Sequence, residues 1–123
     1  MTNVLIIVDD TSVSSSLQKG LAGVDFTIDI LHSSKYEIAL DRIKQYDCIM
    51  IDSGLTYINC YAICKFIRHA IGDITPIFLL TSSSSSTELF IKGIEAGATD
   101  FLSIGFPFNE ILTRFTALIQ KHT

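Results

Sequence analysis

Residues 4–10 read VLIIVDD, five apolar side chains in a row followed by two aspartates. A run that is apolar at every position is typical of a strand buried on both faces, as the strands of parallel sheets are. The two aspartates place strong polar groups where this first strand, at residues 4–8, ends. Four more short apolar runs follow along the chain, at residues 26–30, 48–51, 77–80 and 101–104. We interpret the five runs as the strands of one sheet.

Between the strands, apolar residues recur at the three- and four-residue spacing of amphipathic helices. Five such stretches are marked by Val13, Leu17 and Leu21; by Tyr36, Ala39, Leu40 and Ile43; by Cys60, Ile63, Cys64 and Ile67; by Phe90 and Ile94; and by Ile111, Phe115, Leu118 and Ile119. Alternation of strand and helix indicates a parallel sheet with helices on both faces. We therefore predict one α/β domain over residues 1–123. Its fold is a flavodoxin-like doubly wound sheet of five parallel strands in the order 2-1-3-4-5, with five helices.

The composition limits the classes of function. Hydrophobic residues make up 48% of the chain and charged residues 18%, which is typical of a folded domain and not of a disordered one. A net charge of −4 and a pI of about 5.1 disfavour direct binding to DNA or RNA. No apolar run approaches the roughly 18 residues of a membrane span, and the start of the chain lacks the basic residues of a signal peptide. We therefore expect contact with neither nucleic acid nor membrane.

The chain has three cysteines, Cys48, Cys60 and Cys64. An odd number without a secretory signal favours reduced thiols and therefore a cytoplasmic location. Cys60 and Cys64 are four residues apart, so on a helix they share a face and could form a metal-binding pair. They also belong to the apolar stripe of the third predicted helix, and free cysteine often behaves as a small buried hydrophobe. We predict that both thiols pack in the core.

Four polar residues stand where predicted strands end: Asp9 and Asp10 after the first, Asp52 after the third and Thr81 after the fourth. Each has an ordinary structural explanation by itself, because Asp and Thr cap helices and Asp favours turns. In doubly wound sheets, however, ligands bind at the carboxyl ends of the strands. Three carboxylates that meet there repel one another unless a cation neutralises them, and hard oxygen ligands suit Mg²⁺. We predict a Mg²⁺-dependent acidic pocket. The three histidines are placed away from it: His32, His69 and His122.

Four segments carry a resemblance to a known family: VLIIVDD at 4–10, YDCIMIDSGL at 46–55, PIFLLTS at 76–82 and EAGATDFL at 95–102. In this order they resemble the receiver domain of bacterial two-component response regulators, over the whole length of the chain. Such a domain is a signalling module rather than a turnover enzyme. The resemblance implies that Asp52 is the phosphoacceptor of a phosphorelay, which takes a phosphoryl group from a histidine kinase or a phosphotransfer protein.

The resemblance also implies a metal site. In it, Asp9, Asp10, Asp52 and the backbone carbonyl of Gly54 hold Mg²⁺. The chemistry agrees with this arrangement, because phosphoryl transfer depends on positioning and charge neutralisation more than on covalent help from the protein. A carboxylate beside Mg²⁺ is a competent nucleophile.

The switch residues follow from the same resemblance, and so does the main departure from the family. Thr81 is the switch hydroxyl that follows the phosphoryl group, and Phe101 is the aromatic switch. After the fifth strand, Ile104 and Gly105 stand where the family has a lysine and a proline. The lysine contacts the carboxylate and then a phosphoryl oxygen, and Ile104 can do neither. Loss of one preorganised donor typically costs about 2.7–4 kcal/mol of transition-state stabilisation, so we expect slower phosphorylation.

Two functions therefore compete. Retention of the three carboxylates and of Thr81 favours a phosphorylatable receiver that signals by moving its fourth helix, fifth strand and fifth helix. Ile104 favours a pseudo-receiver that acts as a phosphorylation-independent docking or dimerisation module. Two enzyme classes are disfavoured. Residues 11–16 lack the glycine of an FMN-binding loop, and the two aspartates before them would repel the phosphate of FMN. A phosphatase of the haloacid dehalogenase type needs two aspartates with one residue between them, whereas Asp9 and Asp10 are adjacent.

The expected partners are a histidine kinase or phosphotransfer protein and an output domain or downstream protein. The stretches YAICKFIRH at 61–69 and GIEAGATDFL at 93–102 resemble receivers attached to diguanylate cyclases. A homodimer through the fourth helix, fifth strand and fifth helix is a further expectation. Lys92, Asp100 and Arg114 could form salt bridges in it, although charges in such positions are ordinarily solvated. Residues 1–123 contain no output domain, so we expect a single-domain regulator or a piece of a longer protein.

Overall fold

The computed structural model describes residues 2–9, 26–35, 43–55, 58–81, 86–103 and 116–117. These residues contain five strands and two longer α-helices. The strands are β1 (Thr2–Val8), β2 (Phe26–His32), β3 (Cys48–Asp52), β4 (Ile77–Thr81) and β5 (Asp100–Ser103), and the helices are α1 (Cys60–Ile71) and α2 (Thr87–Ala96). Residues 33–35 and Ile43–Gln45 form 3₁₀ turns.

The five strands form one sheet in the order β2-β1-β3-β4-β5, and every neighbouring pair is parallel. This confirms the predicted α/β doubly wound sheet. The third and fourth predicted helices are α1 and α2. The first predicted helix lies outside the described residues, and so does the second except for Ile43, which is part of a 3₁₀ turn. Of the fifth predicted helix, only residues 116–117 are described, and they are helical.

The strand ends differ from the predicted ones by one or two residues. β2 continues to His32 because it stays in register with β1 as far as the pair Val8 and His32. β3 and β4 each extend by one polar residue, so that Asp52 and Thr81 are the last residues of their strands. β5 begins at Asp100 and is described as far as Ser103, so the predicted end of this strand at Ile104 lies outside the described residues.

The core lies between the sheet and the apolar stripe of α1. The predicted stripe is buried, and it joins the side chains of alternate strand residues in one cluster, which includes Cys60, Ile63, Cys64, Ile67, Leu5, Ile7, Ile49, Ile51, Ile77 and Leu79. Full burial of one such aliphatic side chain contributes about 1.5–3 kcal/mol, so this cluster supplies much of the stability of the domain. Asn59 caps the start of α1, since its side chain accepts hydrogen bonds from the backbone N–H groups of Tyr61 and Ala62.

The three cysteines are free thiols buried in the interior, as predicted for Cys60 and Cys64. Burial removes water from the thiolate form, which is the form that carries charge. Desolvation and the neighbouring Cys64 raise the pKa of Cys60 to about 11. Desolvation raises the pKa of Cys64 to about 11, against a small opposing effect of Arg68. At neutral pH both residues therefore behave as small apolar side chains.

Arg68, near the end of α1, donates hydrogen bonds to several residues at the amino-terminal edge of the sheet, which we call the amino edge. Its Nε donates to the carbonyl of Gly97 at 2.8 Å, Nη1 donates to the carbonyls of Thr75 at 2.6 Å and Gly72 at 3.0 Å, and Nη2 donates to Thr99 Oγ1 at 3.1 Å. The starts of β4 and β5 and the end of α2 are thus held by one guanidinium group. Partial burial lowers the pKa of this group, and four of its five N–H donors make hydrogen bonds.

Gly97 is required beside this guanidinium group. Its φ of 106° lies in the left-handed region, and a Cβ there would stand 2.6 Å from Arg68 Cγ. The residue ends α2 and allows Arg68 to reach its carbonyl. Within the described residues, no helix is both long enough and apolar enough to cross a membrane.

Candidate functional site

Three of the predicted site residues lie at the carboxyl-terminal edge of the sheet, which we call the carboxyl edge. Asp9 directly follows β1, Asp52 is the last residue of β3 and Thr81 is the last residue of β4. β3 lies between β1 and β4, and Asp52 is in register with Leu80, the residue before Thr81. The parallel sheet therefore brings together two carboxylates and a hydroxyl that are far apart in the sequence.

Asp52 is partly buried and faces a turn that approaches its carboxylate closely. The backbone N–H of Gly54 donates to Asp52 Oδ1 at 3.0 Å, and the N–H of Ser53 donates to the carbonyl of Leu80 at 2.9 Å. A Cβ on Gly54 would lie 3.5 Å from Oδ1 and 4.0 Å from Oδ2 of Asp52. A side chain at position 54 would therefore make only an ordinary van der Waals contact with the carboxylate, and space alone does not require glycine there.

Asp9 is held by residues at the end of β2. Its Oδ1 accepts hydrogen bonds from the hydroxyl and from the backbone N–H of Ser33, the latter at 3.3 Å. His32 Nε2 lies 3.4 Å from the same oxygen. The prediction that His32 lies away from the acidic pocket is therefore wrong. β2 extends two residues beyond its predicted end, and this brings His32 and Ser33 alongside Asp9.

Thr81 is buried, and its hydroxyl is weakly bound. Its Oγ1 donates to the carbonyl of Leu102 at 3.5 Å, which is long for a hydrogen bond between two oxygen atoms. The partner belongs to β5, which is in register with β4 through the pair Thr81 and Ser103. A hydroxyl held by one long bond can change partner at low cost when a better acceptor is near.

Phe101 lies on β5 with its ring against α2. The ring centroid is 4.9 Å from that of Phe90, and the two planes are tilted by 31°. A Cβ on Gly93 would stand 2.6 Å from Phe101 Cζ and 2.8 Å from Leu79 Cδ1. Glycine at this position therefore allows α2 to approach the ring and the sheet.

A cavity of about 290 Å³ opens between the end of β4 and the start of α2. It is lined by Thr81, Ser86, Thr87, Leu89, Phe90 and Phe101. The predicted switch hydroxyl and the predicted aromatic switch thus border the same space, which adjoins the carboxyl edge.

Two predicted site residues, Asp10 and Ile104, lie outside the described residues. Within the part of the chain that the structure describes, no group of three or more His, Cys, Asp or Glu side chains gathers closely enough to hold a metal ion. The third carboxylate predicted for the pocket, that of Asp10, does not belong to that part. The described donors nevertheless suit Mg²⁺, because Asp9 and Asp52 offer hard carboxylate oxygens at one edge of the sheet.

Sequence reasoning missed Ser33 and His32. The available signal was their place at the end of β2, because β2 and β1 are neighbouring strands in the predicted order and their ends meet at one edge. Neither the extra length of β2 nor the direction of the serine hydroxyl follows from the apolar pattern. A polar pair near the end of a predicted edge strand is the only indication that the sequence gives.

Comparison with known proteins agrees with this geometry. Residues 4–116 match the family described as the response regulator receiver domain. The response regulator ArlR of Staphylococcus epidermidis is 30% identical over 121 residues, which cover 98% of this chain and 54% of that protein. The response regulator MprA of Mycobacterium ulcerans is 28% identical over 118 residues, or 96% of this chain and 50% of the relative. The chain spans about half the length of these curated relatives.

Solved structures show the same fold. The receiver domain of the Francisella response regulator 1452 superposes with a TM-score of 0.77 at 26% identity, with 100% of both chains covered. A two-component response regulator from Clostridium difficile superposes with a TM-score of 0.81 at 24% identity, covering 98% of this chain and 97% of that one. The fold, the strand-end carboxylate and hydroxyl groups and the match over residues 4–116 lead to one assignment. This chain belongs to the response regulator receiver domain family.

Proposed function

We propose that this receiver domain accepts a phosphoryl group on Asp52 from a histidine kinase or a phosphotransfer protein. The observation that carries the proposal is the position of Asp52 at the carboxyl edge, on the strand between the one followed by Asp9 and the one that ends in Thr81. The domain is a signalling module of a two-component system, and its product is a phosphorylated domain rather than a released small molecule.

The transfer makes one bond and breaks one. An oxygen of the Asp52 carboxylate bonds to phosphorus, the bond from phosphorus to the donor imidazole nitrogen breaks, and the electron pair leaves with the imidazole. Such transfers depend mainly on in-line positioning and charge neutralisation. The N–H of Gly54, 3.0 Å from Oδ1, supports the first requirement because it orients the carboxylate.

Mg²⁺ is the proposed cofactor, held by Asp9, Asp10, Asp52 and the backbone carbonyl of Gly54. When bound, it neutralises the carboxylates and the charge of the incoming phosphoryl oxygens. The residues of the chain then have separate tasks: Asp52 supplies the nucleophile, and the other ligands keep it oriented. The oxygen-only donor set supports this assignment over a site for a softer metal.

The switch is proposed to begin at Thr81. A phosphoryl oxygen on Asp52 is a stronger acceptor than the carbonyl of Leu102, to which the Thr81 hydroxyl donates at 3.5 Å. Movement of the hydroxyl towards the phosphoryl group changes the lining of the cavity that it shares with Phe101. The Phe101 ring then repacks against α2, and the signal is proposed to appear on the face of α2, β5 and the fifth predicted helix.

That face is also the proposed docking surface. α2 leaves Phe90 54%, Ile91 51% and Ile94 46% exposed, which is an unusual amount of apolar surface for one turn and a half of helix. The proposed partners are an output domain or a downstream protein, including one linked to a diguanylate cyclase, and a second copy of this chain. Buried free thiols support a cytoplasmic location.

The proposal is tested by incubation with Mg²⁺ and acetyl phosphate, followed by measurement of the intact mass. The unaltered domain should gain one phosphoryl group, and Asp52→Asn should gain none. Asp73→Asn is the matched control, because it removes an exposed aspartate before β4 and should leave the adduct unchanged. Equal labelling of Asp52→Asn and the unaltered domain would exclude Asp52 as the acceptor.

A second function, phosphorylation-independent docking, is favoured by Ile104. Without the lysine, one contact to the transferred phosphoryl group is lost, while the fold and the exposed face of α2 are retained. A domain of this kind would show no adduct with acetyl phosphate and would bind its partner equally well as Asp52→Asn. The mass measurement therefore separates the two functions directly.

A further inference from the structure

The hydroxyl of Ser33 is fully buried at the carboxyl edge, and its partner is a proposed metal ligand. Ser33 is 0% exposed, and both its Oγ and its backbone N–H donate to Asp9 Oδ1. Asp9 itself is nearly buried, with 12% of its side chain exposed. Two donors from one residue therefore converge on a single oxygen of a carboxylate that has little access to water.

His32 adds a longer polar contact to the same oxygen. The backbone N–H of Ser34 donates to His32 Nδ1 at 3.3 Å, and the Ser34 hydroxyl lies 2.8 Å from the same nitrogen. A backbone amide can only donate, so Nδ1 is the acceptor and the proton of the neutral ring lies on Nε2. Nε2 therefore presents its N–H group towards Asp9 Oδ1, 3.4 Å away.

Metal ligands in proteins are generally held by hydrogen-bond partners that do not themselves touch the metal, and these contacts have that role for Asp9. They orient the carboxylate and reduce the entropy cost of fixing it when a cation binds. They also join the end of β2 to the end of β1, so the position of Asp9 follows from the pairing of the two strands.

We propose that Ser33 is a positioning residue for Asp9, assisted by His32, and that it sets the affinity of the carboxyl edge for Mg²⁺. This inference rests on the proposed function, since it takes Asp9 as part of the metal site. It concerns residues of this chain that do not touch the metal or the phosphoryl group. Ser33 acts only through the carboxylate that it holds.

The alternative is that Ser33 only stabilises the fold. The two roles are separated by measuring the thermal midpoint of unfolding as a function of Mg²⁺ concentration, starting from EDTA-treated protein. A ligand that binds only the folded state raises stability as its concentration exceeds its dissociation constant, so the concentration dependence reports affinity. The midpoint without Mg²⁺ reports the structural cost alone.

For Ser33→Ala we expect a lower midpoint without Mg²⁺ and about a tenfold weaker affinity for Mg²⁺, at the lower end of what loss of such a partner costs. Ser33→Thr keeps the hydroxyl and should restore most of the affinity. His32→Phe keeps the ring shape but loses the N–H group. It should weaken binding about threefold, since its contact is longer, and it serves as the second variant if Ser33→Ala does not fold.

Tyr46→Phe is the matched control. The Tyr46 hydroxyl donates to Asp29 Oδ2 at 2.7 Å, which is also a bond from a hydroxyl to a carboxylate of the β1–β2 region, but away from the carboxyl edge. This variant should lower the midpoint without changing the affinity for Mg²⁺. An affinity that is unchanged in both Ser33→Ala and His32→Phe would overturn the inference and leave the proposed function intact. No binding of Mg²⁺ by the unaltered domain would overturn both.

Discussion

The two edges of the sheet are held in different ways. At the amino edge, the Arg68 guanidinium donates four hydrogen bonds to three carbonyls and to Thr99 Oγ1, so its charge is enclosed by neutral acceptors. At the carboxyl edge, the described partner of the Asp52 carboxylate is one backbone N–H, that of Gly54. The Thr81 hydroxyl there has one long bond, and a cavity adjoins it.

The difference indicates that the amino edge contributes mainly to stability and the carboxyl edge mainly to chemistry. A group held by four hydrogen bonds has little capacity left for a ligand and contributes to stability, whereas weakly held groups can exchange their partners for a ligand. Asp9 combines both properties: it lies at the carboxyl edge with the other site residues, but hydrogen bonds from Ser33 hold its carboxylate in place. The comparison predicts that variants at the amino edge change stability alone and that variants at the carboxyl edge change chemistry.

The largest expected effect is that of Ile104→Lys, which returns the lysine that the family resemblance implies after the fifth strand. We expect phosphorylation by acetyl phosphate to become about 10²–10³-fold faster, since one preorganised donor is typically worth that much. The rate is measured by intact mass over time, with Ile104→Met as the control for a change of side-chain shape. Equal rates for the lysine variant and the unaltered domain would mean that the missing cation does not limit the reaction.

The next effect is at the amino edge. Arg68→Ala should lower the free energy of unfolding by about 2 kcal/mol, because it removes the charged donor from three partly buried acceptors. Chemical denaturation measures this loss. Lys65→Ala, which removes an exposed cation from the same helix, should change stability by no more than about 0.5 kcal/mol.

The same variant tests the separation of the two edges. Below its unfolding transition, Arg68→Ala should still be phosphorylated as fast as the unaltered domain. A folded Arg68→Ala that fails to form the adduct would show that the amino edge takes part in the chemistry.

The two buried thiols of α1, which lie in the core between the edges, make the stability of the domain depend on pH. Desolvation by burial raises the pKa of Cys60 to about 11 and that of Cys64 to about 11. Between an unfolded value of 9.0 and about 11, the unfolded thiol has lost its proton and the folded one has not. The folded state then binds more protons, so stability falls as pH rises through this window.

We therefore expect a loss of about 1 kcal/mol per thiol between neutral pH and about pH 10, measured by denaturation at each pH. Cys60→Ala and Cys64→Ala should each remove about half of this decrease in stability with pH, whatever the stability of each variant at neutral pH. A slope that is the same in both variants and in the unaltered domain would show that the thiols titrate alike in the folded and unfolded states.

The smallest effect concerns Gly93, between the two edges. A methyl group there overlaps the Phe101 ring and Leu79, which costs about 1–3 kcal/mol of stability. The higher helix propensity of alanine offsets about 1 kcal/mol of this cost. Gly93→Ala should therefore lower stability by about 1 kcal/mol. In a Phe101→Ala background most of this cost should disappear, and a double-mutant cycle measures the coupling. Additive costs would mean that Phe101 is not what limits the approach of α2.

The fold was largely predictable from sequence, and the contacts between edge residues were not. The five apolar runs and the alternating helical pattern predicted the parallel sheet and its order, because burial on both faces leaves a strong signal. The same runs placed Asp52 and Thr81 at strand ends. The bonds of Arg68 left no comparable signal, since its acceptors are mainly backbone carbonyls, which every residue has. The contact of Ser33 with Asp9 depends on the extra length of β2.

The central claim is that Asp52 is the phosphoacceptor, and the most direct test identifies the modified residue itself. After treatment with acetyl phosphate and Mg²⁺, borohydride reduces an aspartyl phosphate to homoserine, and peptide mass spectrometry then finds the altered position. The account predicts homoserine at residue 52 and at no other aspartate of the chain. Unmodified Asp52 in a protein that carries the phosphoryl group elsewhere would contradict it.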